Sequence, residues 1–289
     1  MNATLTPPVY MLAVDHRWQW EAWCDEHGVS RDRISEIKTI GVEAFLEARE
    51  NSPDVRASGA LLIDLTYGAA GLALARAAGA TVGTPAERAG IFPLEWTDAF
   101  DRALPGTFVK VLVRHHRNVS PAIRDGQIDR LLELQEWCVA NARPLVVEVL
   151  VTPVDGESGE TFEREGRPIV LATYIRDAYA AGLTPPYWKI EGVPDRTAMK
   201  PIDDAIVERR GTRQLVLGKG ATLETVAGWF AAAAAAASAG GFAVGRTVYW
   251  GPSTEYLLGQ RSRTDAVSQI VENYRRMIDL WKRAAGKSG

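Results

Sequence analysis

The chain holds only two cysteines, Cys24 and Cys138, and neither has the spacing of a metal-binding pair. Both lie in helix-like stretches among apolar residues, which makes them buried free thiols of a reducing compartment rather than a disulfide framework. No long block of one charge occurs: 33 Lys plus Arg face 36 Asp plus Glu, a formal net charge of -3. That balance argues against a nucleic-acid or anionic-membrane partner. Long hydrophobic runs are missing too. The longest, Trp229 to Ala237, is far too short to span a bilayer, and Met1 to Val9 has no basic stretch leading into an apolar one. The expectation is a soluble, cytoplasmic protein. No Gly/Ser-rich or Pro-rich linker separates two differently patterned halves, so the 289 residues read as one domain.

What is present is an alternation of short apolar runs with amphipathic stretches of helix length, the pattern of a parallel sheet wrapped by helices. Eight strand candidates follow one another: Val9 to His16, Ala60 to Leu65, Thr81 to Thr84, Phe108 to Arg114, Leu145 to Val151, Tyr187 to Val193, Gln214 to Leu217 and Gly241 to Arg246. Helices are expected over Arg33 to Glu50, Ala69 to Ala78, Ile123 to Asn141, Pro168 to Ala181, Leu223 to Ala239 and Arg263 to Arg283, with Gly79, Gly182 and Gly240 where they stop. The alanine run Ala231 to Ala237 suits a helix packed closely on a barrel. The fold class expected is α/β, a single (β/α)8 TIM barrel spanning 1–289 with its core over about 9–285. The polar segment Val154 to Arg167 stands where such a barrel carries an active-site loop or lid.

In this architecture the carboxyl ends of the strands converge on one site, so polar residues there are informative. The first end offers Asp15, His16 and Arg17, the second Asp64, the third Thr84 to Arg88, the fourth Lys110 and then Arg114 to Arg117. Glu148 interrupts the fifth apolar run, and Lys189 and Glu191 interrupt the sixth. A lone charge inside a strand is costly unless paired or used. With a period of two, Tyr187, Lys189 and Glu191 share a face, as do Val146, Glu148 and Leu150 next door, so inward faces bring Lys189 and Glu148 together.

A buried lysine beside a second cation favours its neutral, nucleophilic amine, and Lys110 is the candidate second cation. Such an amine forms an iminium with a ketone and permits retro-aldol cleavage. Glu148 is suited to take the β-hydroxyl proton, and Asp15 to assist loss of water from the carbinolamine. A structural ion pair is the competing reading, and Glu191 could simply orient or neutralise Lys189.

Gly218, Lys219 and Gly220, followed by Gly245 and Arg246, stand after the last two strands, where barrels commonly bind phosphate. The run Arg114-His115-His116-Arg117 with His16 admits a zinc reading, but adjacent residues on a strand face opposite ways, so anion or carboxylate binding is preferred and no metal or other cofactor is expected. Trp250 is a candidate for the mouth; the other tryptophans read as packing residues.

These motifs, in this order, resemble the barrel aldolases of the tagatose-bisphosphate and sulfofructose-phosphate type. Leu12 to Arg17 is similar to their first-strand apolar-Asp-Gln-Arg motif, Val109 to Leu112 to their fourth-strand lysine, and Glu148 to their fifth-strand glutamate. Trp188 to Glu191 is similar to the Schiff-base Lys-x-Glu and Val244 to Trp250 to the eighth-strand Gly-Arg region, with one extra residue before Trp250. Asp15 to Arg17, Gly83 to Glu87 and Trp188 to Gly192 resemble more closely the aldolase-like domain, of the DUF2090 type, fused in some bacteria to the kinase that makes 2-deoxy-5-keto-gluconate 6-phosphate. His16 departs from the glutamine, and Gly192 from the usual continuation after Lys-x-Glu.

The resemblance implies a class I aldolase with Lys189 as Schiff-base nucleophile and Glu148, Asp15 and Lys110 as its catalytic companions. It implies cleavage of a phosphorylated keto-sugar to dihydroxyacetone phosphate and an aldehyde, malonate semialdehyde for the inositol-pathway intermediate. Arg246, Gly245, Gly218, Gly220, His16, Arg17 and Glu191 would bind substrate or its phosphate, and Arg114 and His115 with their neighbours would bind the carboxylate. The partner expected is that small molecule, with a homo-oligomer as the assembly. A different ketose phosphate, or a silent sugar-phosphate-binding barrel, are the alternatives.

Overall fold

The computed structural model describes residues 5–97, 104–157 and 159–286. Eight parallel strands close into a barrel in chain order: β1 (Val9–Ala13), β2 (Gly59–Leu62), β3 (Val82–Pro85), β4 (Phe108–His115), β5 (Leu145–Val151), β6 (Tyr187–Glu191), β7 (Arg213–Leu217) and β8 (Ala239–Val244). β5, with the sequence Leu-Val-Val-Glu-Val-Leu-Val, is apolar on both faces because one faces the barrel interior and the other the helices. All eight strand expectations are met within a few residues.

The helices around it are α1 (Trp18–His27), α2 (Ile34–Asn51), α3 (Pro53–Ser58), α4 (Ala69–Ala77), α5 (Pro121–Ala140), α6 (Gly159–Thr161), α7 (Arg167–Ala180), α8 (Arg196–Val207), α9 (Leu223–Ala233), α10 (Arg246–Leu257) and α11 (Arg263–Ala284). Their starts are set by local chemistry. Ser120, Asp195, Thr222 and Ser262 each accept a backbone N–H of the first turn of α5, α8, α9 and α11, and Pro121 opens α5. Gly28, Gly79 and Gly182 stop helices in the left-handed region, at φ 65°, 64° and 100°. Among the described residues no helix is long and apolar enough to cross a membrane.

Three expectations change. The alanine run leaves the helix after Ala233, because Asp203 of α8 takes the N–H groups of Ala237 (3.0 Å) and Ser238 (2.8 Å) and turns the chain into β8. Gly240 therefore lies inside β8 rather than at a helix end, and Gly241 beside it has φ 129°, its missing Cβ leaving room for the Val9 backbone. Second, Val154 to Arg167 is not all loop: α6 runs into a single π-helical turn, Phe162–Gly166, and that into α7. Third, β8 ends before Arg246, which instead begins α10.

The barrel interior is layered. Toward the amino ends of the strands, Val9, Met11, Phe108, Val146, Tyr187 and Leu215 fill the lumen. The Phe108 ring occupies the place where Gly83 has no side chain; a Cβ there would meet ring carbon Cε2 at 2.0 Å. One step up the same inward faces, the residues become charged.

Candidate active site

Parity puts Lys110 on the inward face two residues after Phe108, Glu148 two after Val146, and Lys189 two after Tyr187. Parallel register then sets Glu148 directly beside Lys189, while Lys110 lies beside Val146, one pleat below. Oε2 of Glu148 accepts from Lys189 and forms an ion pair with Lys110, 2.9 Å from each Nζ, so the two nitrogens can be no farther apart than twice that distance. Lys110 also contacts Asp15 Oδ2 at 3.2 Å and Glu87 Oε1 at 3.0 Å. Glu87 in turn accepts from Arg17 at 3.1 Å through Oε1 and from the Leu112 N–H at 3.2 Å through Oε2. All six charged side chains are buried, and they form the floor of a cavity of about 340 Å³ at the carboxyl ends of the strands.

Protonation follows from this arrangement. Burial works to raise the pKa of Asp15, but Lys110 and Lys189 outweigh it and hold the carboxyl well below the usual range. The same contest, with the same winners, lowers Glu148. For Lys110, burial pulls downward and the carboxylates of Glu148, Glu87 and Asp15 prevail, raising it above an ordinary lysine. Lys110 is thus a fixed cation clamped among three carboxylates, and Glu148 and Asp15 are carboxylates at neutral pH. A carboxylate touching a lysine can move protons to and from groups on that lysine.

Glu191, two residues beyond Lys189, turns to the rim. It forms ion pairs with Arg167 Nη1 at 3.0 Å and Lys219 Nζ at 2.8 Å, and accepts from the Val151 N–H at 3.1 Å. Arg167 also holds Glu163 on the π-helical turn, at 2.7 Å. Two other cavity-lining guanidiniums carry no carboxylate partner among the described residues. Arg114 on β4 has none, and Arg246 donates only to the Lys219 carbonyl at 3.1 Å, its Nε buried and unpartnered. β4 and β8 stand on opposite sides of the barrel, with β6 two strands from each. Gly218, Gly220 and Gly245 line the cavity near Arg246; at Gly218 a Cβ would press on Val244 at 2.8 Å, and Gly220 takes φ 76°. Exposed backbone amides and a free guanidinium suit an anion.

The loop after β1 carries Asp15, His16 and Arg17 into the cavity. It is held from behind by Lys38 of α2, which is fully buried, pairs with Asp64 Oδ2 at 2.7 Å and donates to the carbonyls of Val14 and His16. His16 rests on Tyr249 of α10, Nδ1 to Oη 3.2 Å. Burial, with help from Lys38, Arg246 and Lys189, pushes its pKa down to about 3 despite Asp15.

Lys189, Glu148, Asp15, Lys110, Arg246, Gly245, Gly218, Gly220, His16, Arg17, Arg114 and Glu191 therefore gather around one cavity. His115 does not join them: odd in parity to Lys110, it points outward and packs on Tyr174 of α7, ring centroids 4.7 Å apart. Burial lowers its pKa to about 4. His116 lies near Phe92, and Arg117 pairs with Glu157, so neither lines the cavity and no cluster of three imidazoles forms there. Among the described residues no group of three or more His, Cys, Asp or Glu could hold a metal ion. Trp250 stacks on Trp20 at 3.7 Å away from the mouth, and Trp18 lines it instead. Sequence reasoning reached Glu87 only within the polar run Thr84 to Arg88 after the third strand, with no role of its own, and passed over Arg167 and Lys38 as site residues. Each is charged and buried, yet each sits in a loop or helix, where a charge ordinarily faces water.

Residues 2–285 match the family described as "Uncharacterized protein conserved in bacteria (DUF2090)", and the chain belongs to that family. Among curated proteins no significant match is found. By fold the chain is similar to fructose-bisphosphate aldolase from Plasmodium falciparum, solved in complex with TRAP and a small-molecule inhibitor. The TM-score is 0.67 at 12% identity, over 99% of this chain and 92% of that one. It is also similar to Cgl0159 from Corynebacterium glutamicum, TM-score 0.58 at 17% identity, over 94% of this chain and 88% of that one. The fold these structures share with the chain is a (β/α)8 barrel.

Proposed function

We propose that this protein is a class I aldolase that cleaves a phosphorylated keto-sugar through a Schiff base on Lys189, without a metal. The observation that carries the reading is the sharing of one Glu148 oxygen by Lys189 and Lys110 at 2.9 Å, on a cavity floor flanked by two guanidiniums that have no carboxylate partner among the described residues. In the reaction, deprotonated Nζ of Lys189 adds to the ketone carbon, and loss of water, assisted by Asp15, gives the iminium. Glu148 takes the proton of the β-hydroxyl as the adjacent carbon–carbon bond breaks. The bonding electrons pass to the iminium, which becomes an enamine, and the aldehyde departs. Protonation of the enamine carbon and hydrolysis return the ketone product and free Lys189.

The substrate that fits best is 2-deoxy-5-keto-gluconate 6-phosphate, giving dihydroxyacetone phosphate and malonate semialdehyde. It carries a phosphate at one end and a carboxylate at the other, matching Arg246 with the glycine loops and Arg114 on the opposite wall. The phosphate is one carbon from the reacting ketone, and the carboxylate lies beyond the bond that breaks. Borohydride added with this substrate is expected to fix a covalent adduct, located at Lys189 by peptide mass spectrometry. No adduct, together with cleavage that a chelator abolishes, would reject the Schiff base. Binding of the keto-sugar phosphate without turnover would mark a silent barrel.

A further inference from the structure

Tyr249 Oη has two partners among the described residues, Trp20 Nε1 at 2.8 Å and His16 Nδ1 at 3.2 Å. An indole nitrogen can only donate, so the phenol oxygen is the acceptor in the first contact. Tyr249 is completely buried, and among the described residues its hydroxyl hydrogen has one acceptor in reach, Nδ1 of His16. Were Nδ1 protonated instead, that hydrogen would be stranded in the interior, at a cost of about 1–3 kcal/mol. The chain Trp20 to Tyr249 to His16 therefore runs in one direction. It leaves Nδ1 bare and puts the imidazole proton on Nε2.

The surroundings hold the ring in this state. Lys38 fixes the His16 carbonyl at 2.5 Å, so both the backbone and the ring of this residue are tied down. Gly245 makes room for it: a Cβ there would stand 2.6 Å from His16 Cε1. Burial disfavours an imidazolium, and so do Lys38, Arg246 and Lys189; Asp15 works against them, and Lys38 is itself paired with Asp64. Nε2 is bonded to nothing among the described residues, while the ring lines the cavity beside the Gly245–Arg246 corner.

We propose that His16 is a neutral donor locked in one tautomer, whose Nε2–H reads an acceptor oxygen at the phosphate end of the substrate, with Tyr249 and Trp20 as its positioning residues. The substrate part of this inference rests on the aldolase reading; the tautomer lock does not. His16 gives no proton to the reaction. It selects an oxygen that can accept, and it does so unchanged across the physiological range. A glutamine amide would offer a donor of the same kind.

The test is ¹⁵N NMR of the imidazole nitrogens in the full-length chain. The wild type is expected to show His16 with protonated Nε2 and bare Nδ1, untitrated between about pH 5 and 8, where a free histidine would change charge. Tyr249→Phe should release the lock and give a mixture of tautomers. A protonated Nδ1 in the wild type, or an imidazolium by about pH 6, would overturn the proposal. For substrate reading, His16→Gln should stay within about 3-fold of wild-type kcat/KM, and His16→Leu should lose about 10- to 100-fold, mostly in KM. Equal losses in both variants would sink the donor role. A wild type that cleaves no keto-sugar phosphate would count against the aldolase reading, while the spectrum alone still decides the lock.

Discussion

The two halves of the barrel lumen are built by the same strands and behave as opposites. In the lower half Phe108, Val146 and Tyr187 pack as an apolar plug, and two residues further along β4, β5 and β6 the same inward faces present Lys110, Glu148 and Lys189. The lower layer contributes burial and shape. It also keeps water from the underside of the upper layer, where six buried charges satisfy one another. Such a cluster adds little net stability, since desolvation offsets most of the attraction, but it holds each group in a fixed protonation state and place. One layer keeps the barrel folded; the other gives it chemistry to perform.

Lys189→Met puts that division to its hardest test. It should abolish borohydride trapping and lower kcat by at least about 10³-fold, while the thermal midpoint moves by only a few degrees because Glu148 keeps Lys110 as its partner. A collapse in stability would show that the upper layer also carries the fold. In the lower layer Phe108→Ala should do the reverse, costing about 3–5 kcal/mol in denaturant unfolding, with KM in the surviving folded fraction little changed. Activity lost at full stability would contradict the separation.

Acid sharpens the contrast by acting on the charged groups. Asp15 and Glu148 have folded pKa values below their ordinary 3.8 and 4.5, so the unfolded chain binds more protons there. Their contribution to stability is full above those ordinary values and is lost as pH falls toward the lower folded ones. His16 and His115, lowered from 6.5 to about 3 and about 4, act in the same direction and begin earlier. The urea midpoint should therefore start to fall below about pH 6.5 and fall more steeply below about pH 4.5. A flat midpoint down to pH 3 would deny the charge cluster its folded-state protonation.

The smallest effects separate the inside of the barrel wall from its outside. Arg246→Ala and Arg114→Ala should each raise KM by about 10- to 100-fold, through loss of a charged hydrogen bond. His115→Phe, three bonds of backbone from Arg114 but facing α7, should leave KM within about 2-fold. A KM for His115→Phe as high as for Arg114→Ala would move the carboxylate site to the other face of β4.

The strands were readable because apolar runs of β-branched residues have few other uses, and Lys110, Glu148 and Lys189 were readable because each breaks such a run. Parity also carried the information that His115 faces away from Lys110, although the basic run around it invited a single grouped site. Glu87 could be placed after the third strand, but not given a role. It lies two residues past the end of β3 and is held by a bridge to Trp96, and no local pattern says that a loop glutamate will turn inward to meet Lys110 and Arg17. Lys38 was hidden differently: on α2 it looks like one of the charges beside an apolar stripe, and only the fold brings it under Val14 and His16. α10 escaped notice because its first residue, Arg246, reads equally well as the end of a strand.

The ring of Phe108 filling the space left by Gly83 has a consequence for descent rather than for chemistry. A lineage that gains a side chain at 83 loses the room for an aromatic at 108, and one that shrinks 108 opens a void that only a larger residue at 83 can close. The two positions are inherited as a unit. Across related chains, glycine at the first and a large ring at the second should appear and disappear together.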